Sequence, residues 1–509
     1  MKKSSLFVQY KYTLPLFALV AIIFVTLTSY TTSPIFQGWF ENDGKVFLFV
    51  AKSIHEGYVP YRDIFDHKGP VLYFIESFGW ALTKSEIGVY LLQIVNMFIT
   101  LVFMFKAAWE FVSAKASFFI TLAMLPFLTT TLFGGNYSEE WTLGFSAIAV
   151  MLTCRYINNL CAGQSENDIF SGFILGFAFG FNTLIRVNNC IIVAICVFFI
   201  VVSLIVHKRF KNLLFNALAF IGGALATAIA PVIYFWRMDA LGDMLYGSLL
   251  FNLKYSDANK LINAHAATTI WETVFPLIIV ATAVSVIALF KLKEKKERLL
   301  AYFLLCMTAW LFAMYLVTGV TYLHYLAFAW AMPLLMYTLI IRKQSFSFKL
   351  KSKEIFIKAT AITLCFAMIS VYYFNGAIDP SRESTKRIIK EAVSGQQYEL
   401  EHLAQVLDET IPKDDANDVF CLASSFSAIY LYDKANLYPK NRYFIFYDFW
   451  KLIDSQVEKE ITHMMQTDPP RWLLSKQNDW HDENILSIIE NRYTQIYSEC
   501  GYTLYKLND

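Results

Sequence analysis

The sequence predicts a mainly α, polytopic transmembrane helical bundle of about eleven spans with a small soluble α/β domain at its C-terminal end, on three observations. First, 56% of the 509 residues are hydrophobic and only 17% charged, well to the apolar side of soluble domains. Second, apolar windows of about 20 residues, the length that crosses a hydrocarbon core of roughly 30 Å, recur along most of the chain. Third, from about residue 383 short apolar runs alternate with polar amphipathic stretches.

Taken in order, the spans fall near 13–31, 88–106, 116–133, 141–157, 168–185, 190–206, 212–235, 271–290, 299–318, 322–341 and 355–374. The first follows Lys2 and Lys3 and has no small-residue cleavage site behind it, so it reads as an uncleaved anchor. With the N-terminus cytoplasmic, every inside connection carries basic residues: Lys106 and Lys115, Arg155, the 208–211 cluster, the 291–298 cluster and the 342–353 cluster. An odd number of spans then places the C-terminal tail outside. The organisation expected is a membrane domain over 1–375, with a first outer loop at 32–87, and an extracytoplasmic α/β domain over 383–509.

The first outer loop is too long for a turn. Val46, Phe47, Phe49, Val50 and Ile54 recur near helical spacing within it, which predicts short amphipathic helices lying at the membrane surface. In the C-terminal part the expected elements are a polar helix over 382–410, apolar runs at Val419–Ala423, Tyr443–Tyr447 and Trp472–Ser475, helices from Ser425 and around Leu452–Met465, and a final helix and strand. The net charge of +2, with no basic run interleaved with aromatics, gives no reason to expect nucleic acid. The eight cysteines show neither CxxC spacing nor a Cys/His ligand pattern, which argues against structural zinc. Cys421 and Cys500, both in the polar C-terminal part, are either a disulfide pair or two separate thiols. No organic cofactor is expected.

The densest polar constellation lies in the first outer loop: Glu41-Asn42-Asp43-Gly44, then Tyr61-Arg62-Asp63-Ile64-Phe65-Asp66-His67-Lys68-Gly69-Pro70. A solvated loop is the plainer account of any one of these charges. Against it, Asp66, His67 and Lys68 directly precede the apolar run Val71–Phe78, where ionisable groups are costly unless paired or used. A second acidic pair, Glu139-Glu140, follows Ser138 at the outer end of a span, and helix capping explains it as well as function does. Asn136-Tyr137-Ser138 matches a glycosylation sequon, a match common by chance. Arg186, Arg237 and His324 sit at other outer ends, each singly more typical of an interface residue than of a ligand. Together, acids, bases and a histidine from several segments gather at one membrane face. That is the chemistry a phosphate-bearing lipid substrate needs: cations for the phosphate and a carboxylate to take a proton from an acceptor.

These residues carry a resemblance. Asn42-Asp43 in a long first loop, Gly57-Tyr58-Val59-Pro60-Tyr61-Arg62-Asp63 followed by Asp66-His67-Lys68-Gly69-Pro70, Gly135-Asn136 through Glu139-Glu140, and His324-Tyr325-Leu326 resemble the GT-C superfamily of polytopic glycosyltransferases, near the bacterial relatives of the protein mannosyltransferases and the lipid A aminoarabinose transferase. The resemblance implies transfer of a sugar from a polyprenyl-phosphate donor to a glycan, lipid or protein acceptor at the outer face of the cytoplasmic membrane. It implies Asp43 as catalytic base and Lys68 on the donor phosphate; by their outer positions Arg186, Arg237 and His324 are candidates for further phosphate contacts. Asp63, Asp66, His67, Glu139 and Glu140 would position sugar or acceptor. A divalent metal (Mg²⁺ or Mn²⁺) would have Asp43, Glu139 and Glu140 as its candidate ligands. The sequence departs from the aminoarabinose transferases in two places: His67 and Gly69 replace an acid and a proline, and Gly44 follows Asp43 in place of a second acid. Alternatives are a transporter or flippase of lipid-linked sugars, for which the chain lacks visible internal repeats, and a polysaccharide polymerase.

Overall fold

The structure, a computed structural model, describes residues 3–36, 39–255, 264–318, 323–343, 399–423, 425–476 and 483–508. Ten of the eleven apolar windows coincide with helix, from Lys3–Thr28 through Glu86–Trp109, Leu143–Cys161 and Phe210–Arg237 to Ala331–Lys343. The eleventh, 355–374, and the 382–398 part of the expected polar helix lie outside the described residues. Among the described residues six helical stretches are long and apolar enough to cross a membrane, and the chain is a membrane protein. The window at 116–133 is broken into Ala114–Leu122 and Leu125–Thr131, because Pro126 belongs in a first helical turn and not in an interior.

The described residues form two compact units. One comprises Met1–Ser29, Tyr90–Pro231 and Lys260–Glu383, and its core holds Phe17, Met97, Leu101, Cys154, Phe303 and Trp330, all fully buried. Its helices show large apolar side chains outward, among them Leu218, Ile221, Leu225 and Ile229, as a lipid-facing surface requires. Ile169–Thr183 and Phe210–Arg237 pack almost backbone to backbone: a Cβ on Gly176 would lie 1.9 Å from the Phe220 carbonyl oxygen, so only glycine fits. Small residues at such crossings are the usual basis of helix association in lipid, where burial of apolar surface adds little.

The other unit comprises Tyr30–Val89, Val232–Asn259 and Ser384–Asp509. Its first-loop helix Asp43–His55 buries Val46 through Ala51, and it packs on Pro70–Thr83 and Phe426–Lys434 of the same unit. A mixed four-stranded sheet has the order β1-β2-β4-β3, from β1 (Val419–Leu422), β2 (Trp472–Lys476), β3 (Tyr493–Glu499) and β4 (Tyr502–Leu507). β1 and β2 run parallel, and the other pairs run antiparallel. The run Tyr443–Tyr447, read as a strand, is instead an extended loop entering the helix Tyr447–Ile453. Phe446 takes a left-handed φ of +51° there, and the run's apolarity serves an aromatic core rather than a ladder. The disulfide considered for Cys421 and Cys500 does not form. Cys421 is buried on β1 while Cys500 is exposed in the turn joining β3 to β4, with β2 between β1 and β4.

Candidate active site

The second unit builds its polar cluster on two helix starts. Asn42, extended and nearly fully buried, accepts a hydrogen bond from Thr31 Oγ1 at 2.9 Å and hands the chain into the helix whose first residue is Asp43. Asp43 therefore stands at the positive end of the helix dipole, with about a third of its side chain exposed (34%). Pro70 opens the helix Pro70–Thr83 at a position where its missing N–H costs nothing, and Lys68 arrives just before it. The Lys68 ammonium, buried, lies 3.3 Å from Asp43 Oδ2 and 3.9 Å from Asp66 Oδ1, over the Phe47 ring.

The loop between these helices is braced at each end. Tyr61, with a left-handed φ of +69°, bonds through its N–H to the Ile64 carbonyl (2.7 Å) and donates its hydroxyl to the Lys68 carbonyl (2.7 Å). A strained non-glycine backbone of this kind persists only where its surroundings over-determine it. Asp63 accepts from Arg62 and from the Val59 N–H, an internal brace for the turn. Asp66 is buried and accepts from Tyr73 Oη at 2.7 Å, with His67 Nδ1 at 3.2 Å. Burial opposes its charge, but Lys68, His67 and Tyr73 together hold the carboxyl well below its ordinary range.

The first unit has a cluster of its own. Gly134, Gly135 and Asn136 all adopt positive φ, and Gly135 packs where a Cβ would sit 2.6 Å from Ser29 Cα, so the chain makes a sharp turn into Ser138–Trp141. That turn is pinned by Asn189 Nδ2 on the Ser138 carbonyl (3.1 Å) and by Asn96 Nδ2 on the Glu140 carbonyl (2.7 Å). Glu139 meets Arg186 Nη1 at 3.1 Å and Ser138 Oγ at 2.9 Å; Arg186 Nη2 in turn donates to Tyr325 Oη at 2.5 Å. His324 stacks on Tyr137 at 4.7 Å. Glu139 and Glu140 are both buried, so they are not solvated capping acids, and Tyr137 rather than Ser138 is the helix N-cap. Asn136 is fully buried and accepts from Trp141 Nε1, which closes the sequon to a glycan.

Glu140 accepts from both Gln93 Nε2 (3.1 Å) and the Asn136 N–H (2.7 Å). Burial nevertheless pushes its carboxyl up to about 7 against those donors. The folded protein thus holds this proton more tightly than the unfolded chain. Its stabilising contribution is fully present below the ordinary 4.5 and is lost as pH rises to about 7. The expected size is at most about 3 kcal/mol. Thermal unfolding in detergent should show stability falling over that window, and Glu140→Gln should flatten the fall; an unchanged slope in the variant would remove Glu140 as its origin.

The residues singled out in sequence thus divide. Asp43, Asp66, His67 and Lys68 are brought together in one unit, where Asp63 pairs instead with Arg62 and the Val59 N–H, and Glu139, Glu140, Arg186 and His324 lie in the other. Arg237 joins neither group, standing exposed in the last turn of Phe210–Arg237 beside the exposed Trp236. Sequence reasoning passed over Tyr73 and Gln93. Gln93 had a signal, being a polar side chain in the middle of an apolar window. Among the described residues no three His, Cys, Asp or Glu side chains gather as a metal ligand set. Of the candidate carboxylates, Asp43 faces Lys68, Glu139 faces Arg186 and Glu140 accepts from the Asn136 N–H.

In comparisons of fold, ArnT from Cupriavidus metallidurans bound to undecaprenyl phosphate superposes with a TM-score of 0.55 at 11% identity, covering 96% of this chain and 97% of that one. Its apo state gives 0.54 at 10% identity over the same shares. The archaeal oligosaccharyltransferase AglB from Archaeoglobus fulgidus, in complex with an inhibitory peptide and a dolichol-phosphate, gives 0.47 at 12% identity, covering 98% and 75%. The chain therefore shares its fold with ArnT, a likeness of fold alone at this identity. No curated protein matches the chain in sequence. A family model does, over residues 5–371, and by that match the chain belongs to the family described as the putative competence-induced protein Ccs4 N-terminal domain.

Proposed function

We propose that the chain is an inverting membrane glycosyltransferase that moves a sugar from a polyprenyl-phosphate donor to a glycan, lipid or protein acceptor at the outer face of the cytoplasmic membrane. The observation that carries this reading is the Asp43–Lys68 pair, 3.3 Å apart at the start of a helix, with the carboxylate reachable and the ammonium buried beneath it. The fold shared with ArnT gives the pair its context.

Asp43 takes the proton from the acceptor hydroxyl or amine as that group attacks the anomeric carbon, and the bond from that carbon to the phosphate oxygen breaks. Lys68 turns its ammonium to the departing polyprenyl phosphate, where negative charge grows most and its stabilisation lowers the barrier most. Asp66, held ionised by Lys68, His67 and Tyr73, keeps Lys68 charged and aimed. The topology read from the basic residues, with the N-terminus inside and the C-terminal domain outside, puts this chemistry where a flipped donor is found.

Membranes containing the chain, incubated with a panel of radiolabelled polyprenyl-phosphate sugars, should release label into one acceptor class for one of the sugars. Net movement of intact labelled donor across vesicles, with no bond broken, would instead favour the flippase.

A further inference from the structure

We propose that the C-terminal α/β domain is a positioning element for the Tyr61–Lys68 loop, acting through Arg442 and Trp450. Both residues belong to the same unit as the loop. Arg442 ties the loop from two directions. Its carbonyl accepts from the Phe65 N–H at 2.9 Å, and its Nη1 donates to the Tyr61 carbonyl at 3.3 Å, at the residue held in left-handed backbone. The guanidinium is itself fixed by Asp243 at 3.2 Å and by a two-pronged contact with Glu460. A planar fork with four acceptors around it has no freedom left to wander.

Trp450 holds the loop's side chains. Phe65, fully buried, inserts among Phe251, Tyr443 and Trp450, with ring centroids 5.0, 5.0 and 6.3 Å away. Two residues on, the His67 ring is stacked on Tyr255 at 4.7 Å and lies edge to face with Trp450 at 5.1 Å. Asn252 closes the arrangement by donating to the His67 carbonyl at 2.6 Å. The loop that presents Lys68 to Asp43 is thus clamped at residues 61, 65 and 67 by residues 442–450 and by the 251–255 segment. Neither Arg442 nor Trp450 touches Asp43 or Lys68, so their effect on them is indirect. The inference rests on the function proposed above only for the donor that Lys68 would meet.

The full-length protein in nanodiscs tests it with Arg442→Ala, Arg442→Lys and, as a control of equal charge loss in the same domain, Arg471→Ala, whose partner Asp415 lies away from the loop. Hydrogen exchange of the peptide covering 60–68 should speed up on the order of tenfold in Arg442→Ala, partly recover in Arg442→Lys and stay unchanged in Arg471→Ala. Undecaprenyl phosphate should bind roughly tenfold more weakly to Arg442→Ala alone. Trp450→Phe should loosen the peptide less than Trp450→Ala does. Unchanged exchange in Arg442→Ala, or equal loosening in Arg471→Ala, overturns the positioning role. If the loop loosens as expected but wild-type protein does not bind undecaprenyl phosphate, the positioning role stands and the donor assignment falls.

Discussion

Asp43→Asn should slow sugar transfer by roughly 10²- to 10⁴-fold, the range that loss of a general base typically costs. The substitution keeps the shape of the side chain and its place in the first helical turn. Since Asp43 is about one-third exposed, the loss of its ion pair with Lys68 should cost no more than about 1 kcal/mol of stability. Binding of undecaprenyl phosphate should persist, because the ammonium stays in place. The measurement is initial transfer rate against donor concentration for purified wild-type and variant protein, with unfolding temperature recorded alongside. Transfer at the wild-type rate would remove Asp43 from the chemistry.

Lys68→Met should have a double effect. The ammonium is buried between Asp43 and Asp66, so replacing it with a methionine of similar length leaves the buried Asp66 charge faced by Tyr73 and His67 without its lysine, at a cost of up to about 3–5 kcal/mol. Asp66, whose folded carboxyl is held below its ordinary 3.8, stabilises the fold above that value and ceases to do so as pH falls below it. Without Lys68 that acid-labile contribution should shrink. Transfer should fall by roughly 10²- to 10³-fold through loss of charge stabilisation on the leaving phosphate. The double variant Lys68→Met with Asp66→Asn separates the two effects, because it should regain much of the stability and none of the activity. Recovery of transfer in the double variant would show that Lys68 serves only to neutralise Asp66.

The candidate site was readable in sequence to the extent that local chain order reveals it. Asp43 and Lys68 stand out because charged residues flank apolar runs in one long loop, and they prove to be 3.3 Å apart. Arg186 and Glu139, 47 positions apart, were each identified singly, and their pairing was not. Tyr73 drew no notice because a tyrosine in an apolar run carries no local signal; its hydroxyl matters only because the first turn of Pro70–Thr83 turns it back to Asp66. Arg237 shows the converse, a basic residue at an outer helix end that fits the pattern and stays exposed.

By itself the sequence determined the membrane class, the helical windows and the loop holding Asp43 and Lys68. Hydropathy, helix starts and turn chemistry all act over a few residues and leave their mark in the order of side chains. Tertiary structure alone decided that Tyr443–Tyr447 would serve an aromatic core in place of a strand, that β2 would lie between Cys421's strand and β4, and that Glu140 would be buried against Gln93. It alone brought Arg442 to the Tyr61 carbonyl across 381 positions. Such contacts depend on which segments close on one another, and the cost of closing a long loop grows so slowly with its length that local sequence does not mark the partner.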